Sequence, residues 1–492
     1  MSDIKVLFVS SEVAPFAKTG GLADVVGVLP ETLNRIGGID ARVILPLYRR
    51  IRENYSEELE FVRWSMIRMG WRSLYAGLFR LVKNDTTYYF IDNEYYFGFH
   101  DIYKEYSFDI ERFCFFQRAV LECLGSPMDF EPDILHCNDW QSGLIPTLLE
   151  AHYRPYGFHN NMRTIFTIHN LRYQGIHGVE RIADLCDLSP AFMNEYGVLM
   201  DGVPNMMKAG IVYADMVTTV SPNYANEIMT DYYGEGLNGV LANYSYKLRG
   251  ILNGIDVETY NPETDSHIAQ NYTLDSYLEG KKANKNQLQS ELSLPVNDEI
   301  PLVSMITRLT DQKGLDLFLY IADELMQEDI QCVILGTGEA QYEEALRALE
   351  GRYPDKVRAL IYFGGEMSHK IYAGADIFLM PSLFEPCGLS QMISMRYGTV
   401  PVVRETGGLS DTVQAYNMYT GEGNGFSFTN INAHELLFTT KRAIEYYLKR
   451  GEDPAWKNLV TTGMETDFSW TKSGHSYIEL YRQVMGLEEE NI

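Results

Sequence analysis

One feature limits this chain more than any other. Short apolar runs, rich in β-branched residues, alternate with helical patterns, and the series starts a second time near residue 300. The first series is IKVLFVSSEV, ARVILPLY, TTYYFIDN, DILHCND, RTIFTIHN and DMVTTVS, with helical stretches such as ERFCFFQRAVLECLG between the runs. The second is PLVSMITRL, QCVILGTGE, RALIYFGG, DIFLMPS and TVPVVRE. Apolar strands separated by helices specify parallel sheets covered on both faces. The expected fold class is therefore α/β, with two doubly wound domains, 1–251 and 252–468. The polar, turn-rich stretch NGIDVETYNPETDSHIAQNY marks the join, with a hinge at Leu252–Asn261. A chain of 492 residues is long enough for two such cores. Residues 469–492 read as one amphipathic helix, with Tyr477, Leu480, Tyr481 and Val484 on a face. Two doubly wound domains leave a cleft at the carboxyl ends of their strands, where ligands bind in such folds.

Charge narrows the ligand. The chain has 41 Lys and Arg against 67 Asp and Glu, a formal net charge of −26. That field repels nucleic acid and anionic membranes, so neither is an expected partner. If the ligand is an anion, the scarce cations must be gathered locally. The six cysteines form no CxxC pair and read as reduced thiols, which points to the cytoplasm. Strand pattern begins at Ile4 without a basic-then-apolar leader, and no run is apolar for long enough to span a bilayer.

Four stretches carry chemistry. In KTGGL, Lys18 precedes Gly20 and Gly21 at a strand-to-helix turn; bare amides and a helix start suit a phosphate or a carboxylate. In MITRLTDQKGLDLF, Arg308 and Lys313 flank one short loop, as a diphosphate would require. In SLFEPCGLSQMISMRYGTVPVVRETGGLSD, Glu385 sits before Gly388 and Leu389 at a helix start, and Thr406, Gly407 and Gly408 repeat the Gly-Gly device. HCNDWQSGL and TIHNLRYQG end two strands with His136, Asp139 and Trp140, and with His169 and Asn170. Taken singly, each is also what a tight turn or a strand end looks like. No spacing of His, Cys, Asp or Glu suggests a metal site.

Together, KTGGLADVVGVLP, HCNDWQSGL, IHNLRYQG, KAGIVYADMVTTVSP, GILNGID, RLTDQKGLD, FEPCGL, RETGGLSDTV and the terminal DFSW resemble the bacterial-type glycogen and starch synthases over nearly the whole chain. The resemblance implies two Rossmann-like domains of GT-B type, with residues 469–492 crossing back to the first. It implies transfer of glucose from ADP-glucose to the non-reducing end of an α-1,4-glucan, with retention of configuration and with neither metal nor other cofactor. Arg308 and Lys313 would neutralise the departing diphosphate. Lys18, the Gly20 and Gly21 amides and those of Thr406, Gly407 and Gly408 would complete the anion cradle, and Phe363 would stack on the base. Glu385 would orient the glucose, supported by the Gly388 and Leu389 amides. His169 would lie against the glucose and Asp139 on the acceptor side, with Asn170, Asn253 and Trp140 as further sugar contacts. Ile393 stands eight residues after Glu385, where other retaining enzymes carry a second carboxylate. A front-face displacement, in which the leaving phosphate takes the acceptor proton, therefore asks less of this chain. Lys313→Ala is expected to keep the melting temperature and lose most activity.

Departures from the family pattern fall at Asn138, Gln141, Phe99, Ala242 and Gly365 and bear on the acceptor side. They keep a non-catalytic or altered-acceptor glucan-binding relative among the readings, and a UDP-glucose-using transferase stays open because the sequence does not reveal the nucleotide. A nicotinamide-dependent dehydrogenase has only GTGE in its favour, and a pyridoxal phosphate-dependent phosphorylase has no announced lysine.

Overall fold

The structure is a computed structural model that describes residues 3–99, 101–125 and 128–487. The chain folds as two units, Met1–Ile251 with Trp470–Ile492, and Leu252–Ser469.

The first unit is built on one nine-stranded sheet. In chain order its strands are β1 (Ile4–Val9), β2 (Ile39–Pro46), β3 (Glu60–Met69), β4 (Arg72–Lys83), β5 (Thr86–Asp92), β6 (Ile134–Asn138), β7 (Arg163–Ile168), β8 (Met216–Thr219) and β9 (Leu248–Gly250). Their spatial order is β9-β8-β7-β6-β1-β2-β5-β4-β3. Pairing is parallel except at β3–β4 and β4–β5, which are antiparallel. Val6, Leu7, Phe8 and Val9 are fully buried, as a strand with helices on both faces must be. The order reverses between β1 and β6, so the loops leaving these two strands flank the crevice where such sheets bind ligands.

The edge hairpin β3–β4 has no counterpart in the sequence reading. Its outward face carries Trp64 and Met66, so polar–apolar alternation, the usual mark of an exposed strand, is blurred. The terminal helix Trp470–Val484 belongs to the first unit and packs on the helix Gly21–Ile36. Gly474 permits the approach: a Cβ there would lie 2.8 Å from Ile36 Cδ1. Tyr477, Leu480 and Tyr481 are buried on this face.

The second unit holds a six-stranded, all-parallel sheet of β10 (Leu302–Ile306), β11 (Gln331–Leu335), β12 (Val357–Leu360), β13 (Ile377–Met380), β14 (Val400–Arg404) and β15 (Phe426–Phe428). The spatial order is β12-β11-β10-β13-β14-β15. This is the Rossmann order, with its reversal between β10 and β13. Arg308 and Lys313 follow β10 and Glu385 follows β13, so one switch point gathers all three.

Candidate active site

At the first unit's switch point, the Lys18–Gly21 loop is held from below by a carboxylate. Glu12 is buried and accepts from the Thr19 hydroxyl at 2.7 Å, the Gly20 amide at 3.1 Å, the Thr19 amide, and the Tyr103 hydroxyl at 2.6 Å. This corrects one expectation. The Gly20 amide is committed to Glu12 and is not a free anion donor, whereas Gly21, opening the helix Gly21–Ile36, has no amide partner among the described residues. Lys18 is likewise occupied: its ammonium donates to Asp24 Oδ1 at 2.6 Å across an exposed pair. Such pairs are worth at most about 1 kcal/mol and exchange readily for a ligand anion. Beside the loop lies a cavity of about 450 Å³ lined by Lys18, Arg49, Arg50, Phe99 and Tyr103. Glu53 and Asp101 line it too, and Arg49 is paired with Glu53 at 2.6 Å.

Asp139, directly after β6, sits at φ 55°, a left-handed conformation that turns its carboxylate back onto the next strand end. Its Oδ1 accepts from the His169 amide at 2.8 Å and the Asn170 amide at 3.4 Å. Burial pushes this carboxyl up to about 7, with the two amides opposing. Asp139 therefore anchors the His169–Asn170 backbone.

His169 is buried, which lowers its imidazole to about 3, so the ring is neutral. Its Nε2 lies 2.9 Å from Asn138 Oδ1. Asn138 Nδ2 donates to the carbonyls of Val9 at 3.2 Å and His136 at 3.1 Å. Those two bonds fix the amide, so its oxygen faces the ring and His169 Nε2 must carry the proton. The departure at Asn138 thus sets a tautomer.

Three sequence candidates are structural. His136 is buried in the sheet, bonded to Tyr481 and Thr167 and stacked on Phe8. Trp140 offers no open face to a sugar: it is buried against Phe113, with Gly175 needed for clearance from its ring. Asn170 spends its oxygen on the Arg172 amide at 3.1 Å.

In the second unit, Lys313 Nζ lies 2.6 Å from Glu385 Oε2, with side-chain exposures of 14% and 8%. Ser382 Oγ donates to the same oxygen at 2.9 Å. Lys313 is therefore not a solitary cation waiting for phosphate; it balances Glu385. Its removal would strand a buried carboxylate, so the expectation that Lys313→Ala spares the fold is corrected. Arg308, by contrast, is exposed, and its guanidinium has no partner among the described residues.

The Thr406–Gly408 turn is also reassigned. The Gly408 amide donates to the Glu385 carbonyl at 3.1 Å. A Cβ on Gly407 would fall 2.0 Å from that carbonyl oxygen, and one on Gly408 would fall 2.1 Å from the Cys387 oxygen. The two glycines let this turn lie against the Glu385–Cys387 backbone, so the Gly408 amide shapes the site and does not face a ligand. Gly388 and Leu389 keep unpaired amides among the described residues, with Gly388 at φ 73°. Asn253 is buried with its side-chain oxygen unpaired, and its amide meets the Cys387 thiol. Phe363 is 90% exposed and free to stack. Gly365 has open space where a side chain would project, and Ala242 is exposed.

Sequence reasoning missed Glu12, Gln391 and Arg404. Gln391 Nε2 binds the carbonyls of Cys387 and Gly388 and the Thr412 hydroxyl. The Arg404 guanidinium binds the carbonyls of Ser382 and Leu383. A charged residue closing the apolar run TVPVVRE was the available signal for Arg404.

With this geometry in hand, comparison with known proteins is decisive. Residues 5–243 match the starch synthase catalytic domain model and residues 289–454 the glycosyl transferases group 1 model. A glycogen synthase from Desulforamulus reducens is 48% identical over 98% of this chain and 99% of its own. The chain belongs to the glycogen and starch synthase family. Another glycogen synthase, from Geobacillus stearothermophilus, is 48% identical over 99% of both chains. Among solved structures, the catalytic domain of Arabidopsis thaliana starch synthase IV, bound to ADP and acarbose, superposes with a TM-score of 0.90 at 33% identity, covering 99% of this chain and 100% of that one. Sucrose-phosphate synthase from Thermosynechococcus elongatus, 17% identical with a TM-score of 0.61, shares the fold. The protein is thus a GT-B hexosyltransferase of glycogen synthase type. Among the described residues no helix is long and apolar enough to cross a membrane.

Proposed function

We propose that this glycogen synthase takes ADP-glucose as donor, elongates α-1,4-glucan in the cytoplasm and needs no metal. The observation that carries this reading is the second unit's switch point. There Arg308, without a partner among the described residues, follows β10, and the Lys313–Glu385 pair joins that loop to the one after β13, where the Gly388 and Leu389 amides are unpaired among the described residues. The ADP held by the Arabidopsis relative supports an adenine nucleotide.

In this account Arg308 and the two amides receive the diphosphate. Its charge draws Lys313 away from Glu385, and the freed carboxylate accepts glucose hydroxyls. Both cations then stabilise the departing ADP, the task a divalent ion performs elsewhere. One donor aimed at developing charge contributes about 10²- to 10³-fold in rate. Asn253 Oδ1 supplies a further sugar contact and Phe363 stacks on the adenine. In the first unit Asp139 fixes the His169 backbone, and Lys18 can exchange Asp24 for a ligand anion. Ile393 is buried in the helix Ser390–Arg396, so the leaving phosphate takes the acceptor proton in a front-face displacement. The six cysteines are buried free thiols, in keeping with a reducing compartment.

Initial rates with glycogen and either ADP-glucose or UDP-glucose, with and without EDTA, test the reading. It expects ADP-glucose to be preferred at least tenfold and EDTA to be without effect. Preference for UDP-glucose, or loss of activity in EDTA, would overturn it.

A further inference from the structure

Asn138 ends β6 at the switch point of the first sheet, and its side chain bonds in three directions. Its Nδ2 donates to the carbonyl of Val9, at the end of β1, at 3.2 Å and to that of His136 at 3.1 Å. Its Oδ1 meets Nε2 of His169, the first residue after β7, at 2.9 Å. The residue is 1% exposed, so water does not compete for these bonds. An amide meets this demand as no other side chain of its size does. Both of its hydrogens go to carbonyls, which only accept, and its oxygen is left for the ring. A carboxylate would set lone pairs against two carbonyl oxygens, and an alkyl group would leave the ring N–H without an acceptor.

The consequence falls on the far side of the ring. With the proton held on Nε2, Nδ1 carries a lone pair and nothing else. His169 is 9% exposed, and its Nδ1 has no partner among the described residues. Buried polar groups are paired as a rule, so this one points to a ligand that donates. A second proton does not relieve it, because burial lowers the imidazole to about 3. The titratable groups beside the ring supply no counter-charge aimed at it. The His136 imidazole is itself lowered by burial, and Asp139, whose carboxyl burial pushes up to about 7, accepts from the His169 backbone amide. At neutral pH the ring is neither an acid nor a charge. It is an acceptor of fixed polarity. A sugar hydroxyl can donate to it, whereas a fluorine, an ether oxygen or a carboxylate presents lone pairs to a lone pair.

We propose that Asn138 sets sugar specificity: it locks His169 as a ring that only accepts, so that the enzyme demands a hydroxyl at one position of the transferred glucose and rejects any substituent there that cannot donate. Asn138 acts through His169 and is a positioning residue. The inference rests on the reading of this enzyme as one that takes a nucleotide-glucose donor. Its test reads donor binding apart from turnover. Dissociation constants are measured by calorimetry, without glucan, for ADP-glucose and for its four analogues with fluorine replacing the hydroxyl at carbon 2, 3, 4 or 6. The parent should bind one analogue about tenfold or more weakly, the one whose fluorine meets Nδ1. In Asn138→Leu the ring loses its anchor. ADP-glucose and the other three analogues should then weaken by a common factor of about ten, while that one analogue stays within about twofold of its parent value. Asn138→Asp keeps an oxygen for Nε2–H but adds a charge that favours the imidazolium. It should discriminate like the parent at pH 8 and lose the discrimination toward pH 5, where Nδ1 becomes a donor; the parent should not change over that range. This variant decides alone if the leucine variant does not fold. One factor common to all five donors would make Asn138 merely structural and overturn the proposal. So would a parent that discriminates against none of the four analogues. A parent that binds UDP-glucose in place of ADP-glucose would sink the proposed donor, and the same comparison on UDP-sugars would still decide the role of Asn138.

Discussion

The two switch points use a carboxylate in opposite ways. In the first unit, Glu12 is bound by groups of its own loop, two amides and a hydroxyl, together with Tyr103. It fixes a backbone shape. In the second unit, Glu385 is bound by a lysine and a serine, partners that a diphosphate and a sugar can replace. It stores a pairing that the substrate exchanges. The cations differ likewise: Lys18 is exposed and weakly tied to Asp24, Lys313 is largely buried and tightly tied to Glu385, and Arg308 has no partner among the described residues. Similar glycine-rich turns thus frame a rigid cradle on one sheet and an exchangeable ion pair on the other.

The comparison can be broken, beginning with the largest effect. Lys313→Ala should lower kcat by about 10³-fold and also reduce the melting temperature by several degrees, because breaking a buried pair costs about 3–5 kcal/mol. Glu385→Gln added to it should restore much of the melting temperature and none of the activity. If Lys313→Ala melts like the parent, the pair is not the buried lock described here. Gly408→Ala should come next, with kcat down about 10²-fold in steady-state assays, since its methyl would collide with the Cys387 carbonyl and push the Glu385 loop aside. Glu12→Gln keeps the shape of the side chain and weakens its charge-assisted bonds, so KM for ADP-glucose should rise several-fold with kcat nearly unchanged. A large loss of kcat there would instead give Glu12 a part in the chemistry.

The last prediction concerns pH. Asp139 releases its proton near 3.8 when unfolded and near 7 when folded. Between those values the folded chain holds more protons, so the group's contribution makes stability fall as pH rises through that window. Each pKa unit is worth about 1.4 kcal/mol. In Asp139→Asn that downward slope should vanish from denaturant titrations run between pH 4 and 7, while the amide oxygen still accepts from His169. A slope identical to the parent's would refute the part-buried, proton-retaining carboxyl.

Much of this was legible in the sequence because β-branched runs and glycine turns are local signals. The strand runs quoted from IKVLFV to VPVVR all became strands of two wound sheets, and Arg308, Lys313 and Glu385 could be placed at strand ends from spacing alone. What was hidden depends on partners distant in sequence. Nothing near Glu12 shows that it faces the Thr19 and Gly20 amides, nor near Lys313 that Glu385 lies 2.6 Å away. Trp140 and His136 read as site residues because strand-end aromatics and histidines are ambiguous until packing is known; both went to the interior. The hairpin β3–β4 escaped notice because its exposed face is apolar.

The most direct test is Arg308→Ala, since this exposed side chain has no partner among the described residues. The account predicts a parent-like melting curve together with a loss of about 10² to 10³ in kcat and a marked weakening of ADP binding by calorimetry. Parent-like turnover and ADP affinity in that variant would contradict it.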